Sequence, residues 1–407
     1  MRIAVANWTA RKAGGVEAYL DDVIPALAEA GHDVVFWHEM DVPDSRSHIS
    51  LPEGVPRWSA AEMGTDAALD VLRLWRPDLL YVHGIVDPHV EAALQAIAPS
   101  VIFAHAYQGT CISGSKTNRL PVPKPCGRRF GWRCLMHYYP RRCGGLNPQT
   151  MWLDYRRQSE RLDRLRKYAA VVTHSAHMRQ EFLHHGLESQ RVIALPFYVY
   201  GSDGRLPSSR PHELPAHGRR LLFIGRMDTL KGGATLLEAL PHARRQLGFP
   251  LHLVFAGDGP ERDAWMRSAL QVQAADPGVS VEFTGWVEAT RRESLFREAD
   301  LLVVPSIWPE PFGRVGPEAG FHSLPVAAFD VGGVRDWLTA GENGYIAPGD
   351  PPTAEGLASA IVQSLRNDEE YERLRAGALR LAQRFSGERH MEGFMKVFGD
   401  VARRPRL

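Results

Sequence analysis

Two series of short apolar segments, separated by one stretch rich in turn residues, constrain the fold of this chain more than any other feature. The first series contains IAVAN, DVVFW, DLLYVHG, VIFAHAY and AVVTHS, with amphipathic segments such as VEAYLDDVIPALAEAG between them. The second contains RLLFIGR, LHLVFAGDG, VEFTG, DLLVVPS, LPVAAFD and GYIAPG. Continuous apolar runs of this length are typical of strands buried on both faces, so the alternation predicts parallel sheets with crossover helices.

The stretch between the two series predicts the domain organisation. Segment 201–218 is rich in Gly, Pro and Ser, which favours a linker. We therefore predict an α/β protein with one domain over 1–200 and a second over 219–386, facing each other across a cleft. The last segment, 387–407, has apolar residues at helical spacing and predicts an amphipathic helix that must pack on another part of the molecule.

Composition excludes several classes of function. The 407 residues include 48 Lys plus Arg and 47 Asp plus Glu, so the whole molecule has no bulk attraction for nucleic acid. The N-terminal apolar stretch is too short for a signal-peptide core, and no stretch reaches the roughly 18 apolar residues of a membrane span. We expect a cytoplasmic protein.

The stretch WPEPFGRVGPEAG places two glutamates, Glu310 and Glu318, around a strand-to-helix loop. Glycines at 313 and 316 would let backbone amides approach a diphosphate, and Glu318 beside the helix start could accept the hydroxyls of a ribose. Glu310 could bond sugar hydroxyls. The alternative is that Glu318 only offsets the helix dipole and that Glu310 is a solvated loop acid.

A second stretch, FIGRMDTLKGGATLLEAL, follows the first strand of the second series and contains two cations, Arg226 and Lys231. Two cations at this loop can bind a diphosphate and stabilise the charge that develops when it leaves. The sequence has no Asp-x-Asp, so the usual ligands of a divalent ion on a nucleotide diphosphate are absent from it. The alternative is a pair of solvated surface charges.

The motifs GRMDTLKGG, VFAGDGPER, FTGWV and PEPFGRVGPEAG, followed by LPVAAFDVGG and GENGYIAPGD, resemble the retaining glycosyltransferases of family 4. The resemblance implies two Rossmann-like domains, a nucleotide-sugar donor bound chiefly to the second, and a last helix that crosses back to the first. It also implies that the acceptor is a glycan or a lipid-linked molecule and that catalysis requires no cofactor.

The resemblance also assigns roles to single residues. It implies that Arg226 and Lys231 bind the donor diphosphate, that Glu310 contacts the donor sugar, and that Glu318 contacts the ribose. His105, at the end of VIFAHAY, is expected near the reacting sugar, although a histidine at a strand end is often structural. The donor-binding residues expected from backbone groups are Gly14, Gly15, Phe312, Gly313, Arg314 and Val315.

The sequence departs from the family pattern at Gly320 and Ser323, and the double glycine is followed by Asp336 and Trp337. These positions lie beside the expected donor pocket, so they leave the identity of the sugar open. The family lacks an agreed carboxylate nucleophile, so the expected mechanism is front-face transfer, in which the departing phosphate oxygen takes the acceptor proton.

An insertion over 106–150 contains all four cysteines and eight Lys or Arg residues but no acid. Its charge could hold the diphosphate of a lipid-linked acceptor or contact an anionic membrane, or its arginines could pair with acids elsewhere. The spacing of the cysteines lacks the two-residue knuckle of common zinc sites. A structural zinc bound by four thiolates, disulfides, and free thiols all stay open for Cys111, Cys126, Cys134 and Cys143.

Two other functions compete with sugar transfer. Rossmann-like halves also suit a dinucleotide-dependent oxidoreductase, but NWTARKAGG stands where G-x-G-x-x-G would follow the first strand. A sugar-binding scaffold without catalysis would not need to keep both cations and both glutamates.

Overall fold

The computed structural model describes residues 1–12, 14–41, 47–198 and 218–403. The linker predicted at 201–218 therefore lies outside the described residues except for Gly218. In the first half the elements are β1 (Arg2–Asn7), α1 (Gly15–Glu29), β2 (Asp33–His38), β3 (Arg57–Ser59), α2 (Ala60–Met63), α3 (Thr65–Trp75), β4 (Leu79–Val82), α4 (Pro88–Ile97), β5 (Ser100–Ala104), β6 (Thr117–Asn118), β7 (Lys124–Pro125), α5 (Arg133–His137), α6 (Pro148–Leu165), β8 (Ala170–Thr173), α7 (Ala176–His184) and β9 (Val192–Ala194).

The second half has the same alternation and ends in a series of helices. Its elements are β10 (Arg219–Ile224), α8 (Gly233–Leu247), β11 (Leu251–Ala256), α9 (Arg262–Ala275), β12 (Val279–Gly285), α10 (Ala289–Glu298), β13 (Leu301–Val304), α11 (Val315–Phe321), β14 (Val326–Phe329), β15 (Gly344–Ala347), α12 (Ala354–Leu365), α13 (Asp368–Ala382) and α14 (Gly387–Ala402), with 3₁₀ turns at Thr229–Lys231, Gly332–Asp336 and Gln383–Phe385.

Each half contains one parallel sheet with the strand order of a doubly wound nucleotide-binding fold. The first sheet runs β3-β2-β1-β4-β5-β8-β9 and the second runs β12-β11-β10-β13-β14-β15. In both sheets the first strand of the half lies centrally, and the strand order reverses beside it. This reversal creates a crevice at the carboxyl ends of the strands. The predicted fold class is confirmed.

The strands predicted from the sequence are present, and two short edge strands were missed. The six apolar runs of the second series form the six strands of its sheet. In the first sheet the five predicted strands are joined by β3 and β9, each of three residues at an edge. An edge strand is covered on fewer sides, so neither needs the continuous apolar run that marks a central strand. A two-stranded antiparallel sheet, β6-β7, lies within the insertion.

The last helix returns to the first sheet, as the resemblance implied. On α14 the ring of Phe394 lies 5.0 Å from that of Tyr81 on β4, measured between centroids. His390 Nδ1 lies 2.8 Å from the carbonyl oxygen of Pro196, and its Nε2 lies 2.9 Å from the hydroxyl of Tyr19. The apolar face of α14 therefore completes the core of the first domain, although the helix follows the second domain in sequence.

Candidate functional site

Loops from the carboxyl ends of the two sheets meet in the crevice. Tyr107, which follows β5, donates a hydrogen bond from its hydroxyl to the carbonyl oxygen of Pro309, which follows β13, at 2.7 Å. The backbone N–H of Ala176 donates to the Asp336 carboxylate at 2.6 Å. These contacts join the two halves next to the predicted donor residues, where open α/β sheets bind their ligands.

On the second-half side, Lys231 and Glu310 form one ion pair. Lys231 Nζ lies 2.5 Å from Glu310 Oε1, which also accepts a hydrogen bond from Ser306 Oγ at 2.7 Å. The ammonium lies 5.0 Å from the centre of the Trp308 ring. Among the described residues nothing donates to Glu310 Oε2, so this oxygen is the one left for a ligand. The sequence motifs predicted separate roles for Lys231 and Glu310, whereas in the structure the two side chains form an ion pair.

Close backbone packing explains two glycines beside this pair. Gly232 has φ +72°, and a Cβ there would lie 1.8 Å from the carbonyl oxygen of Pro305. Gly332 has φ +58°, and a Cβ there would lie 2.2 Å from the carbonyl oxygen of Glu310. Any side chain at either position would displace the loop that carries Glu310, so the KGG and VGG motifs set the geometry of the pair.

Glu318 lies in the first turn of α11 and is also paired. Its carboxylate contacts the guanidinium of Arg292 on α10 through Oε2, and Arg314 Nε lies 3.7 Å from Oε1. The alternative of a carboxylate that only offsets the helix dipole is incomplete, because two arginines hold this buried group in place. A ribose would have to share the carboxylate with them.

The glycines of this loop pack against a tryptophan. A Cβ on Gly316 would lie 2.3 Å from the ring of Trp337, and one on Gly313, at φ +86°, would lie 3.3 Å from it. The indole N–H donates to the carbonyl oxygen of Phe312. Packing against Trp337 therefore accounts for Gly316, so this glycine needs no ligand to explain it. Val315 begins α11 directly after the loop.

Arg226 follows β10 and is exposed. Its guanidinium makes no hydrogen bond or ion pair within the described parts of the chain, unlike Lys231. The structure therefore brings Lys231 and Glu310 together and leaves Arg226 unpaired on the same side.

On the first-half side, Gly14 and Gly15 lie at the start of α1 with open space around them. A Cβ on Gly15 would meet nothing within 4 Å, and one on Gly14 would meet only Glu17 Oε2, at 3.6 Å. Neither glycine is required by protein packing, in contrast to Gly232 and Gly316. The free volume before α1 is consistent with the predicted contact to a diphosphate.

His105 lies in the middle of a row of three imidazoles. Its Nε2 is 2.8 Å from His83 Nδ1, and its Nδ1 is 2.9 Å from His174 Nε2. The three residues follow the adjacent strands β4, β5 and β8, so the parallel sheet aligns them. His83 and His174 were not predicted as site residues, although YVHG and VVTHS place a histidine at a strand end as VIFAHAY does.

Burial keeps this row uncharged. Desolvation, assisted by the positive charge of Arg314, lowers the pKa of His105 to about 3. Burial also lowers the pKa of His83 and that of His174 well below the ordinary value. A neutral imidazole has one N–H, so His105 donates to one neighbour and accepts from the other. A sugar hydroxyl could bond to this ring only by displacing a neighbouring histidine.

One aromatic ring connects the imidazole row to the second half. Phe197 stacks on His174 with 3.9 Å between ring centroids, and the Arg314 guanidinium lies 5.1 Å from the centre of the Phe197 ring. Arg314 is thus shared between Glu318 and the first-half wall. A change in the position of Arg314 would alter its contacts with Glu318 and with Phe197, on both sides of the crevice.

No disulfide joins the four cysteines of the insertion in the structure. Across the described ranges, no group of three or more His, Cys, Asp or Glu side chains has an arrangement that could hold a metal ion. Burial raises the pKa of Cys143 to about 11, with the other three cysteines adding to the shift, so the four lie close enough to affect one another. Zinc content and a thiol titration of the denatured protein distinguish the three states that the sequence left open.

Two family models match the chain, one on each half. The model described as Glycosyltransferase Family 4 matches residues 13–197, and the model described as Glycosyl transferases group 1 matches residues 218–367. Within the described residues no helix has both the length and the apolar character needed to cross a bilayer.

Relatives and solved structures agree with these matches. A glycogen synthase of Mycobacterium tuberculosis is 26% identical over 93% of this chain and 89% of its own length. A phosphatidyl-myo-inositol mannosyltransferase of the same species is 33% identical over 49% of this chain and 52% of its own. The structure of Anabaena Alr3699/HepE in complex with UDP superposes with a TM-score of 0.69 and 17% identity, covering 98% of this chain and all of the other.

The sucrose-phosphate synthase of Thermosynechococcus elongatus gives a TM-score of 0.68 at 18% identity, over 98% of both chains. The alternative of a dinucleotide-dependent oxidoreductase is wrong, because both family models and the relatives are glycosyltransferases. The chain belongs to the glycosyltransferases that combine a Family 4 domain with a group 1 domain.

Proposed function

We propose that this glycosyltransferase moves a sugar from a nucleoside diphosphate to an acceptor hydroxyl with retention of configuration and without a divalent ion. The observation that carries the proposal is the Lys231–Glu310 pair at the carboxyl end of the second sheet. It offers a cation for the diphosphate and a carboxylate for the sugar within one contact, next to the loops of the first half.

In the proposed reaction the bond from the anomeric carbon to the phosphate oxygen breaks, and its electron pair goes to the diphosphate. Lys231 and Arg226 stabilise that developing charge by electrostatic attraction. The acceptor oxygen bonds to the same face of the sugar, and its proton passes to the departing phosphate oxygen. Glu310 orients the sugar through Oε2, because Oε1 is already bonded to Lys231 and Ser306.

The remaining assignments follow from the same arrangement. Glu318 binds the ribose, the amides of Phe312 to Val315 bind the diphosphate, and the loop at Gly14 and Gly15 closes over it. We propose domain limits of 1–200 and 219–386 with the helix of 387–407 returning to the first domain. The acceptor is a glycan or a lipid-linked glycan.

Binding and product stereochemistry test this proposal. UDP- and GDP-sugars are the first probes, because the HepE neighbour binds UDP-glucose and a relative is a mannosyltransferase. A donor that binds the folded state raises the melting temperature by an amount that grows with the logarithm of its concentration relative to its dissociation constant. With that donor, proton NMR of the new linkage should show the anomeric configuration of the donor, and activity should persist in excess EDTA. An inverted product, or activity lost in EDTA and restored by Mg²⁺, would contradict it.

A further inference from the structure

Large apolar side chains that are exposed concentrate on the insertion and on the start of the helix that follows it. Of sixteen such residues in the described chain, eight lie between positions 120 and 153. They include Val122, Trp132, Met136, Leu146, Trp152 and Leu153. Trp132 is 61% exposed and Leu146 is 68% exposed, so more than half of each residue's surface is in contact with water. A concentration of exposed apolar side chains on a protein surface is typical of an interaction site.

Internal contacts join this segment into one surface. The backbone N–H of Arg119, in the connection between β6 and β7, donates to the carbonyl oxygen of Arg141 at 2.9 Å. Helix α5 packs on α6. The ring of Tyr155 on α6 lies 5.3 Å from that of Phe130 and 6.0 Å from that of Trp152, between centroids. The hairpin, α5 and the start of α6 therefore form one continuous unit, which we call the insertion surface.

The charges of the insertion surface are mostly uncompensated. Lys116 pairs with Glu181 at 2.5 Å, and Lys124 pairs with Asp350 at 3.1 Å. The remaining six basic residues have no acidic partner in the part of the chain that the structure describes; they are Arg119, Arg128, Arg129, Arg133, Arg141 and Arg142. Within the described residues, pairing with acids elsewhere therefore applies to the two lysines of the insertion and not to its arginines.

We propose that the insertion surface docks on an anionic phospholipid bilayer. Tryptophan and tyrosine side chains favour the interface between headgroups and acyl chains, and arginines beside them are attracted to anionic headgroups. Exposed apolar side chains interleaved with unpaired arginines satisfy both requirements at once, whereas a purely polyanionic ligand would leave Trp132 and Leu146 without a role. The insertion begins directly after His105 and so belongs to the first half of the chain. The inference is independent of the stereochemistry proposed above.

Vesicle sedimentation with the full chain tests the charge requirement. The protein should bind phosphatidylcholine vesicles that contain phosphatidylglycerol, bind pure phosphatidylcholine vesicles much less, and dissociate as salt is added. Each basic residue near an anionic surface contributes about 1 kcal/mol, so replacing three should weaken binding about 100-fold. The test variant combines Arg129→Gln, Arg133→Gln and Arg142→Gln. The charge-matched control combines Arg267→Gln, Arg366→Gln and Arg380→Gln in the second half and should bind as the parent does.

A second pair of variants tests the apolar requirement. Trp132→Ser with Met136→Ser should weaken vesicle binding severalfold, whereas Trp286→Ser, which removes a 79% exposed tryptophan of the second half, should not. Circular dichroism and melting temperature confirm that each variant is folded. Equal losses in test and control variants would overturn the proposal, as would equal binding to neutral vesicles. So would insertion variants that leave vesicle binding unchanged but abolish self-association, because a second copy would then be the occupant.

Discussion

The two walls of the crevice differ in how they carry charge. The second-half wall contains ionised groups held in pairs, Lys231 with Glu310 and Arg292 with Glu318. The first-half wall opposite contains imidazoles that burial keeps neutral, beside glycines that leave free space. Paired ions provide preorganised electrostatics for a leaving diphosphate, whereas a neutral wall can accept a sugar without adding a competing charge. Under the proposed function, the second half supplies the charged groups that bind the diphosphate, and the first half closes over it.

The largest effect should come from replacing Lys231, the paired cation of the second-half wall. Lys231→Ala removes one preorganised partner of the developing diphosphate and should lower turnover about 10²- to 10³-fold. The matched control is Lys396→Ala, which removes an exposed lysine on α14 and should leave turnover unchanged. Steady-state kinetics with saturating donor makes the comparison. Turnover within threefold of the parent for Lys231→Ala would show that the pair does not act on the leaving group.

Replacing each of the two glutamates of the second-half wall should affect a different ligand. Glu318→Gln should weaken binding of the free nucleoside diphosphate by about 10-fold or more, since a hydrogen bond to a charged group contributes about 1.5 to 3 kcal/mol. Glu310→Gln should leave that affinity nearly unchanged while reducing transfer, because its proposed partner is the sugar, which the product lacks. Calorimetry with the diphosphate measures both. Equal losses in the two variants would mean that the roles are assigned wrongly.

Lowering the pH should destabilise the first-half wall more than the second-half wall. A histidine whose pKa is lowered in the folded state stabilises the fold fully above its unfolded pKa of about 6.5, and this stability is lost as pH falls from there toward the folded pKa. For His105 and His390 that folded value is about 3, and for His185 it is about 4. Each such group costs up to about 1.4 kcal/mol per pH unit in this window.

Hydrogen exchange at pH 7 and pH 5 locates this loss. Amides of β4, β5 and β8 should lose protection at pH 5 before those of β10, β11 and β13, because the buried histidines with lowered pKa values lie mainly in the first half and on α14. His322 is the comparable residue in the second half. A second sheet that opens first would contradict the assignment of the neutral row as the acid-labile element.

The smallest expected effect concerns the middle of the neutral row. His174→Asn removes one partner of the His105 ring, whose tautomer and orientation it helps to fix, and should reduce turnover by less than about 10-fold, within the range of one modest hydrogen bond. Because the row is neutral, the pH–rate profile of the parent between pH 6 and 8 should show no ionisation from His105. NMR of ¹⁵N-labelled imidazoles should show a change of tautomer population at His105 in the variant. An unchanged tautomer population would indicate that His174 has only a packing role.

Local sequence determined the scaffold and the identity of the charged wall. Continuous apolar runs can be satisfied only as buried strands, so the two sheets and their crossover helices follow from the chain itself. The order of motifs in the second half gave the candidates at Arg226, Lys231, Glu310 and Glu318, because these residues lie in loops whose place after a strand is set locally. The amphipathic pattern of the last segment required that it pack on something.

Only the tertiary structure decided which groups meet. The pairing of Lys231 with Glu310 joins loops after β10 and β13, and that of Glu318 with Arg292 joins separate helices. Gly232, Gly316 and Gly332 are explained by backbone and ring atoms distant in sequence, as is the row formed by His83, His105 and His174. Each of these depends on long-range register between parallel strands, which a one-dimensional pattern does not contain. The same physical reason applies to α14, whose apolar face was evident in the sequence but whose partner, the first sheet, was set by the folded chain.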